Sequence, residues 1–238
     1  MRPLLDNRLA PLTWEVGFLE TSADHAAAGF ARWRRQLGPL EERDVRGDLS
    51  SLLCGVSPVT DGEPNRFLFV GTDGNWTAFF DNLAFGTDSF GPMSVLAREL
   101  RVHAVKARWV PNVAGSPAER RGSVIFELFA SEETDFLNIK RVVAVVHDGD
   151  RWTFDQVGTP LPFEHPDAYG ASRKRDRFSP EMLDEYLRAL GIRMFDEEFY
   201  APDHRARLIE KPGRLPEGAS EYPVPGCSGI GASTPRSL

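Results

Sequence analysis

The chain has 238 residues, 41% of them hydrophobic, which is enough apolar material for a sizeable core without disulfides or metal ions. Its formal net charge of −7 argues against nucleic acid as a partner, because phosphates repel a surface that is negative on average. No apolar run approaches the ~20 residues that cross a bilayer, so no membrane partner is expected.

The basic residues and cysteines give little chemical information. Only four of the 28 basic residues are Lys, at positions 106, 140, 174 and 211, and the rest are Arg. This preference for Arg is typical of a GC-rich bacterial genome. Cys54 lies in an apolar run and Cys227 in a Gly/Pro-rich tail, so a disulfide framework is not favoured. The first residues lack the apolar core of a secretory signal. A cytoplasmic location is therefore the expectation.

The first elements are a strand and a helix. Residues 13–20 alternate bulky apolar with polar or small side chains, which predicts a strand. In 22–38, apolar side chains recur at spacings of four, three and four residues, which predicts an amphipathic helix. Ser22 or Asp24 supplies its N-terminal cap and Gly38 its end.

The middle of the chain predicts mainly strands. Residues 50–59 are interpreted as a short strand, and 66–72 and 75–82 as a hairpin around Asp73-Gly74, a pair that tolerates positive φ. A helix is predicted over 91–100, with Pro92 in its first turn. Further strands are predicted at 102–110 and 123–130, separated by a loop over 111–122.

The last third contains the clearest signals. Two β-branched runs flank Asp148-Gly149 and predict a hairpin. Residues 179–191 predict a helix with Ser179 as its cap and Gly191 as its stop. The segment 212–238 is rich in Pro and Gly and is expected to be extended or disordered.

These elements predict one α+β domain over residues 1–211, followed by the tail 212–238. The domain is expected to contain a mainly antiparallel sheet of about six to eight strands. Two or three helices are expected to pack on one face of this sheet or at its edges.

The stretch GTDGNWTAFFDN (71–82) raises the question of a ligand site. Aromatic and polar side chains alternate along the predicted strand, so its residues form either part of the core or the rim of a binding surface. An acidic and aromatic segment, 196–204, is either a docking surface or a linker packed on the core. The candidate binding residues are Trp76, Phe80, Asp81, Asn82, Asp196, Glu197, Glu198 and Tyr200.

Chemical motifs are weak. No zinc, calcium, nucleotide or serine-nucleophile pattern is present in the sequence, so no metal and no cofactor are predicted. His147 and Glu164 form an alternative catalytic pair. The basic cluster 172–177 is interpreted as a solvated loop or an anion site.

These features support two hypotheses of function. The first is a non-enzymatic bacterial protein that binds another protein, such as an immunity protein or inhibitor that neutralises a basic partner through an acidic, aromatic surface. The second is a small-ligand-binding protein or hydrolase-type enzyme with a pocket on the sheet near Trp76 and Asp81 and near His147 and Glu164. The sequence leaves open whether the protein is an enzyme.

Overall fold

The computed structural model describes residues 1–112, 122–134 and 136–228. Most of the predicted loop 111–122 and the last ten residues of the tail lie outside these ranges. Within them, the α-helices are α1 (Ala23–Arg34), α2 (Leu49–Cys54), α3 (Phe90–Leu100) and α4 (Pro180–Ala189). The strands are β1 (Glu15–Leu19), β2 (Glu41–Arg46), β3 (Val59–Thr60), β4 (Arg66–Gly71), β5 (Thr77–Asp81), β6 (Ala104–Val110), β7 (Ser123–Phe129), β8 (Ile139–His147), β9 (Trp152–Val157), β10 (Arg205–Glu210) and β11 (Glu221–Tyr222).

The α+β class with a mainly antiparallel sheet is confirmed. Within the described residues, nine strands form one sheet in the order β2-β10-β4-β5-β1-β6-β7-β8-β9, slightly more than the six to eight expected. Each neighbouring pair is antiparallel. Strands β3 and β11 form a separate two-stranded ribbon. The predicted hairpins are present as β4–β5 and β8–β9.

Helices cover both faces of the central strands, whereas packing on one face or at the edges was expected. Phe67, Phe69 and Phe79 pack under α1 and α3. Their neighbours Leu68 and Phe80 point to the opposite face, where α2, α4 and the N-terminal segment cover them. Because both faces are buried, β4 and β5 consist of nearly continuous apolar residues.

A glycine sets the position of α3 on the sheet. A Cβ atom on Gly17 of β1 would lie about 2.9 Å from the Met93 sulfur and from the Ser89 Cβ. A larger residue would therefore push α3 away, and the helix approaches β1 closely because this side chain is absent.

The segment 50–59, interpreted as a strand, is helical over its first part. Asp48 caps α2 by accepting a 2.8 Å hydrogen bond from the Ser51 amide. Leu49, Leu52 and Leu53 then fall on one face of this short helix and are buried. The cap and the three-residue spacing outweigh the apolar run that suggested a strand.

Two strands, β2 and β10, were not predicted from the sequence, because their many charged residues mask the alternation of buried and exposed side chains. Strand β2 reads EERDVR and forms one edge of the sheet, and β10 reads RARLIE beside it. Their outward residues pair across the strands, for example Arg205 with Asp44 at 3.0 Å and Arg207 with Glu42 at 3.3 Å. Such charges discourage further strands from adding to this edge.

The tail returns to the domain and is anchored there over its described part. Tyr222 lies in β11, Val224 is buried, and Cys227 forms a disulfide with Cys54 of α2. A disulfide was not favoured from the sequence, because one cysteine lies in an apolar run and the other in the Gly/Pro-rich tail; the fold brings the two together across 173 residues. Disulfides are uncommon in the cytosol. The cytoplasmic location therefore stays a prediction.

Candidate functional site

A cleft of about 350 Å³ opens at one end of the sheet, beside the β4–β5 turn. The first turn of α1, the β4–β5 turn and the start of β10 form its walls. The lining residues are Ser22, Ala23, Asp24, Gly71, Thr72, Gly74, Trp76, Thr77, Pro202, Asp203, Arg205, Ala206 and Arg207. This volume is at the lower end of the range of small-molecule sites.

Local hydrogen bonds hold the walls in place. Ser22 caps α1 by accepting a hydrogen bond from the His25 amide. Trp76 is buried and donates its indole N–H to the Leu190 carbonyl at 2.9 Å. Thr72 donates its hydroxyl to the Trp76 carbonyl at 2.6 Å, which fixes the turn. Trp76 therefore forms part of the cleft wall, and its only polar side-chain atom already donates to the Leu190 carbonyl.

The charged residues of the cleft are partly paired. Arg205 donates hydrogen bonds to Asp44 and Asp24, and Arg207 donates to Asp44 and Glu42. The hydrogen bond from Arg205 and the two nearby guanidinium charges hold the pKa of Asp44 below its usual value. The Nε–H of Arg207 is buried and has no hydrogen-bond acceptor among the described residues.

The predicted acidic and aromatic segment lies next to the cleft, but its rings face inward. Phe199 and Tyr200 are buried, and Tyr200 donates its hydroxyl to the Met194 carbonyl at 2.7 Å. Burial raises the pKa of Tyr200 well above its ordinary value. Asp196 caps the 3₁₀ turn Glu197–Phe199, whose two glutamates are exposed. The surface of this segment is therefore acidic but not aromatic.

The cleft and this segment form one region, which we call the acidic end. Asp73 connects them, because its amide donates to the Phe199 carbonyl at 2.8 Å and its carboxylate pairs with Arg193 at 2.8 Å. The region contains six carboxylates and three guanidinium groups. They are Asp24, Asp73, Asp196, Glu197, Glu198 and Asp203, and Arg193, Arg205 and Arg207.

Asp81 and Asn82 lie at the other end of β5, about 17 Å from Trp76 at ~3.4 Å per residue. Phe80, Asp81 and Asn82 are all buried. Asn82 accepts hydrogen bonds from the amides of Asn65 and Arg66 at 2.9 and 3.1 Å. These bonds hold neighbouring loops together and leave the amide side chain little capacity for a ligand.

Asp81 has the most perturbed carboxyl group of the candidate residues. Its carboxylate accepts hydrogen bonds from the amides of Leu83 and Asp88 at 3.0 and 3.1 Å. Burial raises its pKa to about 7, and the nearby negative charges of Glu15 and Asp88 add to this shift. The hydrogen bonds from the Leu83 and Asp88 amides stabilise the ionised carboxylate and therefore lower the pKa, but by less than burial raises it. The group braces the loop between β5 and α3.

His147 and Glu164, the alternative catalytic pair, are not brought together. Glu164 is buried and accepts a hydrogen bond from Arg141 at 2.7 Å and one from Tyr169 at 2.6 Å. Burial opposes its ionisation, but these hydrogen bonds lower its pKa below the usual value. His147 lies at the far end of β8 from Arg141, about 20 Å away at ~3.4 Å per residue.

Arg205, Arg207 and Asp24 were missed as site residues. The signal for the two arginines was present, because RARLIE alternates outward arginines with inward Ala206 and Leu208. Asp24 was noticed only as a possible helix cap. Nothing local indicated that α1 and β10 meet beside Trp76.

Other site classes find no support in the described ranges. No group of three or more His, Cys, Asp or Glu side chains there is arranged to hold a metal ion. No helix there has both the length and the apolar character to cross a membrane. In the basic cluster 172–177, Arg177 donates to the Ala171 carbonyl and lies 5.5 Å from the Phe154 ring.

Comparison with known protein families, with curated proteins and with solved structures found no match.

Proposed function

We propose that this protein is a binding protein that recognises a basic protein partner at the acidic end. An inhibitor or immunity protein that neutralises a basic enzyme is the specific form of this proposal. The observation that carries it is the excess of carboxylates over guanidinium groups in the acidic end, which comes from Asp73 and the segment beside the cleft, since the cleft itself is lined by two of each, Asp24 and Asp203 with Arg205 and Arg207. The net charge of −7 extends this field over the whole molecule and would speed association with a basic surface.

The arrangement of these charges supports docking. Arg205 and Arg207 are already paired with carboxylates, so they do not cancel the charge of Glu197 and Glu198. These two glutamates form no salt bridge with any described residue, and both are exposed on a turn fixed by Asp196. Lys and Arg side chains of the partner would pair with these exposed glutamates beside the cleft.

The carboxylates named in the alternative, enzymatic hypothesis also fit a binding role better than an enzymatic one. Asp81 braces a loop, and Glu164 is held by Arg141 and Tyr169 in the core. Neither carboxylate lines the cleft. A general acid or base must reach the substrate proton, and buried groups with local partners are poorly placed for that.

A charge-reversal experiment tests the proposal. The variant Glu197→Lys/Glu198→Lys is compared with Glu41→Lys/Glu217→Lys, which makes the same charge change at exposed positions away from the cleft. Pull-down from the native host should recover a stoichiometric basic protein with wild type and with the control. Recovery with the first variant should fall about tenfold or more, and wild-type association should slow as salt rises. Equal recovery with both variants, or no stoichiometric partner, would refute the proposal.

A second candidate function is binding of a small polar ligand in the same cleft. The buried Nε–H of Arg207, which has no acceptor among the described residues, favours it, because a ligand oxygen would satisfy this donor. In a thermal-shift screen of metabolites and nucleotides, a ligand at 100 times its Kd should stabilise wild type by about 2.7 kcal/mol. Arg207→Met should lose the effect. No shift across the panel would contradict this candidate.

A further inference from the structure

Residues 219–228, the last that the structure describes, run over one side of the domain, and we call them the strap. Within the strap, β11 pairs with β3 and places Tyr222 opposite Val59. Gly226 passes so close to the N-terminal segment that a Cβ atom on it would lie 2.8 Å from the Leu9 side chain. The disulfide then joins the strap to α2. The strap therefore lies against β3, the N-terminal segment and the end of α2.

The noncovalent anchors of the strap are weak. Val224 is its one buried residue, and the Val224 amide lies 3.5 Å from the Ser57 hydroxyl, at the limit of a hydrogen bond. The Ser220 amide and the Tyr222 hydroxyl donate to Asp61, which is exposed to water. Exposed hydrogen bonds contribute little net free energy, and a ribbon with two residues in each strand is marginal by itself.

One ion pair and one backbone hydrogen bond complete the polar contacts between the strap and the described residues of the domain. Arg66 lies 3.4 Å from Glu221, and both side chains are partly exposed. The Asp61 amide donates to the Ser220 carbonyl at 3.2 Å. A partly exposed ion pair contributes little to stability. Because ordering the strap costs conformational entropy at each residue, contacts this weak hold it closed only while its end is tied.

The disulfide that ties this end is within reach of solvent. Cys54 and Cys227 are both partly exposed, and Ser228, next to Cys227, is exposed. A thiolate must approach a disulfide sulfur in order to reduce it, so accessible disulfides are the labile ones. The chain has two cysteines, so no third thiol can rearrange the bond. Reduction therefore leads directly to the untied strap.

The sheet does not need the strap. All nine of its strands lie between Glu15 and Glu210, and helices cover both faces of the central ones. The strap adds Val224 and Cys227 to the edge of that core. Opening the strap therefore leaves the strand pairing intact.

We propose that the Cys54–Cys227 disulfide is a redox-sensitive latch, and that its reduction by a cellular dithiol opens the strap while the nine-stranded sheet stays folded. Opening uncovers Leu9 and Val59, which the strap now shields. The proposal is independent of the acidic end and of the function proposed for it.

The reduction is a two-step thiol–disulfide exchange. One thiolate of the dithiol attacks the Cys227 sulfur, the bond to Cys54 breaks, and Cys54 leaves as a thiolate that takes up a proton. The second thiolate of the dithiol then attacks its own sulfur in this mixed disulfide and displaces Cys227, which is protonated in turn. Two electrons have passed to the protein, and the dithiol has become a disulfide. The reverse exchange closes the latch.

Hydrogen exchange on the full chain, measured by mass spectrometry, tests the proposal. Amides of the strap should exchange about tenfold or more faster after incubation with dithiothreitol than in the oxidised protein, because the open strap lacks its bonds to β3. Amides of β1, β4 and β5 should keep their protection in both states. Removal of the dithiol and reoxidation should restore slow exchange of the strap.

Two variants separate the latch from the other anchors. Cys54→Ala/Cys227→Ala should show fast exchange of the strap with or without dithiothreitol. Val224→Ala with the disulfide intact should stay within about threefold of oxidised wild type, because it removes a noncovalent anchor and leaves the end tied.

Four results would overturn the proposal. The disulfide could survive excess dithiothreitol in the folded protein, or the strap could be equally protected in both redox states. Loss of protection throughout the sheet on reduction would show that the bond holds the whole fold. Exchange of Val224→Ala as fast as that of reduced wild type would show that the buried side chain, and not the disulfide, holds the strap.

Discussion

At the residue scale, several buried polar groups are held by hydrogen-bond partners in the surrounding structure. Arg141 is fully buried and donates hydrogen bonds to Glu164, Gln156 and the Gly158 carbonyl. Asn82 and Asp81 bind backbone amides of the loops around them. Such groups are retained because a buried donor or acceptor without a partner costs more free energy than its hydrogen bond contributes. Asp81, Asn82 and Glu164 thus all take part in hydrogen bonds that hold neighbouring segments together.

Asp81 should make the stability of the protein depend on pH. Its folded-state pKa of about 7 lies above the unfolded value, so the folded chain binds this proton more tightly. This contribution is present below the unfolded pKa and is lost as pH rises through about 7. Wild type should lose about 2 kcal/mol of unfolding free energy between pH 5 and pH 8 from this group.

The variant Asp81→Asn provides the control for that loss. Its side chain keeps an oxygen acceptor for one of the two amides but does not ionise. The unfolding free energy of this variant should therefore fall by about 2 kcal/mol less than that of wild type over the same pH interval. Urea unfolding at both pH values measures the difference. An equal loss in both proteins would show that Asp81 does not titrate in this range.

At the element scale, caps and side-chain periodicity decided which segments are helical. Ser22, Asp48 and Ser179 each accept a hydrogen bond from an amide three residues later. The helices α1 and α4 were predicted from this pattern. The short α2 was not, because an apolar run of its length fits either a strand or a buried helix.

The Asp48 cap gives a test at this scale. Asp48→Ala removes the acceptor of the Ser51 amide and should lower the unfolding free energy by about 1 kcal/mol. Asp48→Asn keeps an oxygen at the same position and should cost only a few tenths of that amount. Urea denaturation compares the two variants with wild type. Equal stability of the Ala and Asn variants would mean that the cap does not stabilise α2.

At the scale of the whole molecule, a disulfide and a returning tail close the fold. Cys54 and Cys227 link α2 to the tail, and Gly226 packs so tightly on the Arg8 carbonyl that a Cβ atom would collide with it. The tail thereby joins α2 and the N-terminal segment, which cover the same face of the sheet.

Reduction of this disulfide should destabilise the protein. The bond closes a loop across a sequence separation of 173 residues, and releasing it should cost on the order of 5 kcal/mol through the entropy regained by the unfolded chain. Thermal unfolding with and without a dithiol reductant should show a lower Tm for reduced wild type. The variant Cys54→Ala/Cys227→Ala should give the same Tm in both conditions. A wild-type Tm unaffected by reductant would contradict the prediction.

The sequence by itself determined the α+β class, both hairpins and the helices α1, α3 and α4. Each depends on signals within a few residues, such as the alternation in β8, the turn at Asp148-Gly149 and the cap at Ser179. Only the tertiary structure decided which distant residues meet: Asp24 with Arg205 in the cleft, Cys54 with Cys227, and Trp76 with Leu190 at the end of α4. Local sequence patterns determine the backbone conformation of a segment. Contacts between distant segments instead depend on how all the helices and strands pack together to bury their apolar faces simultaneously.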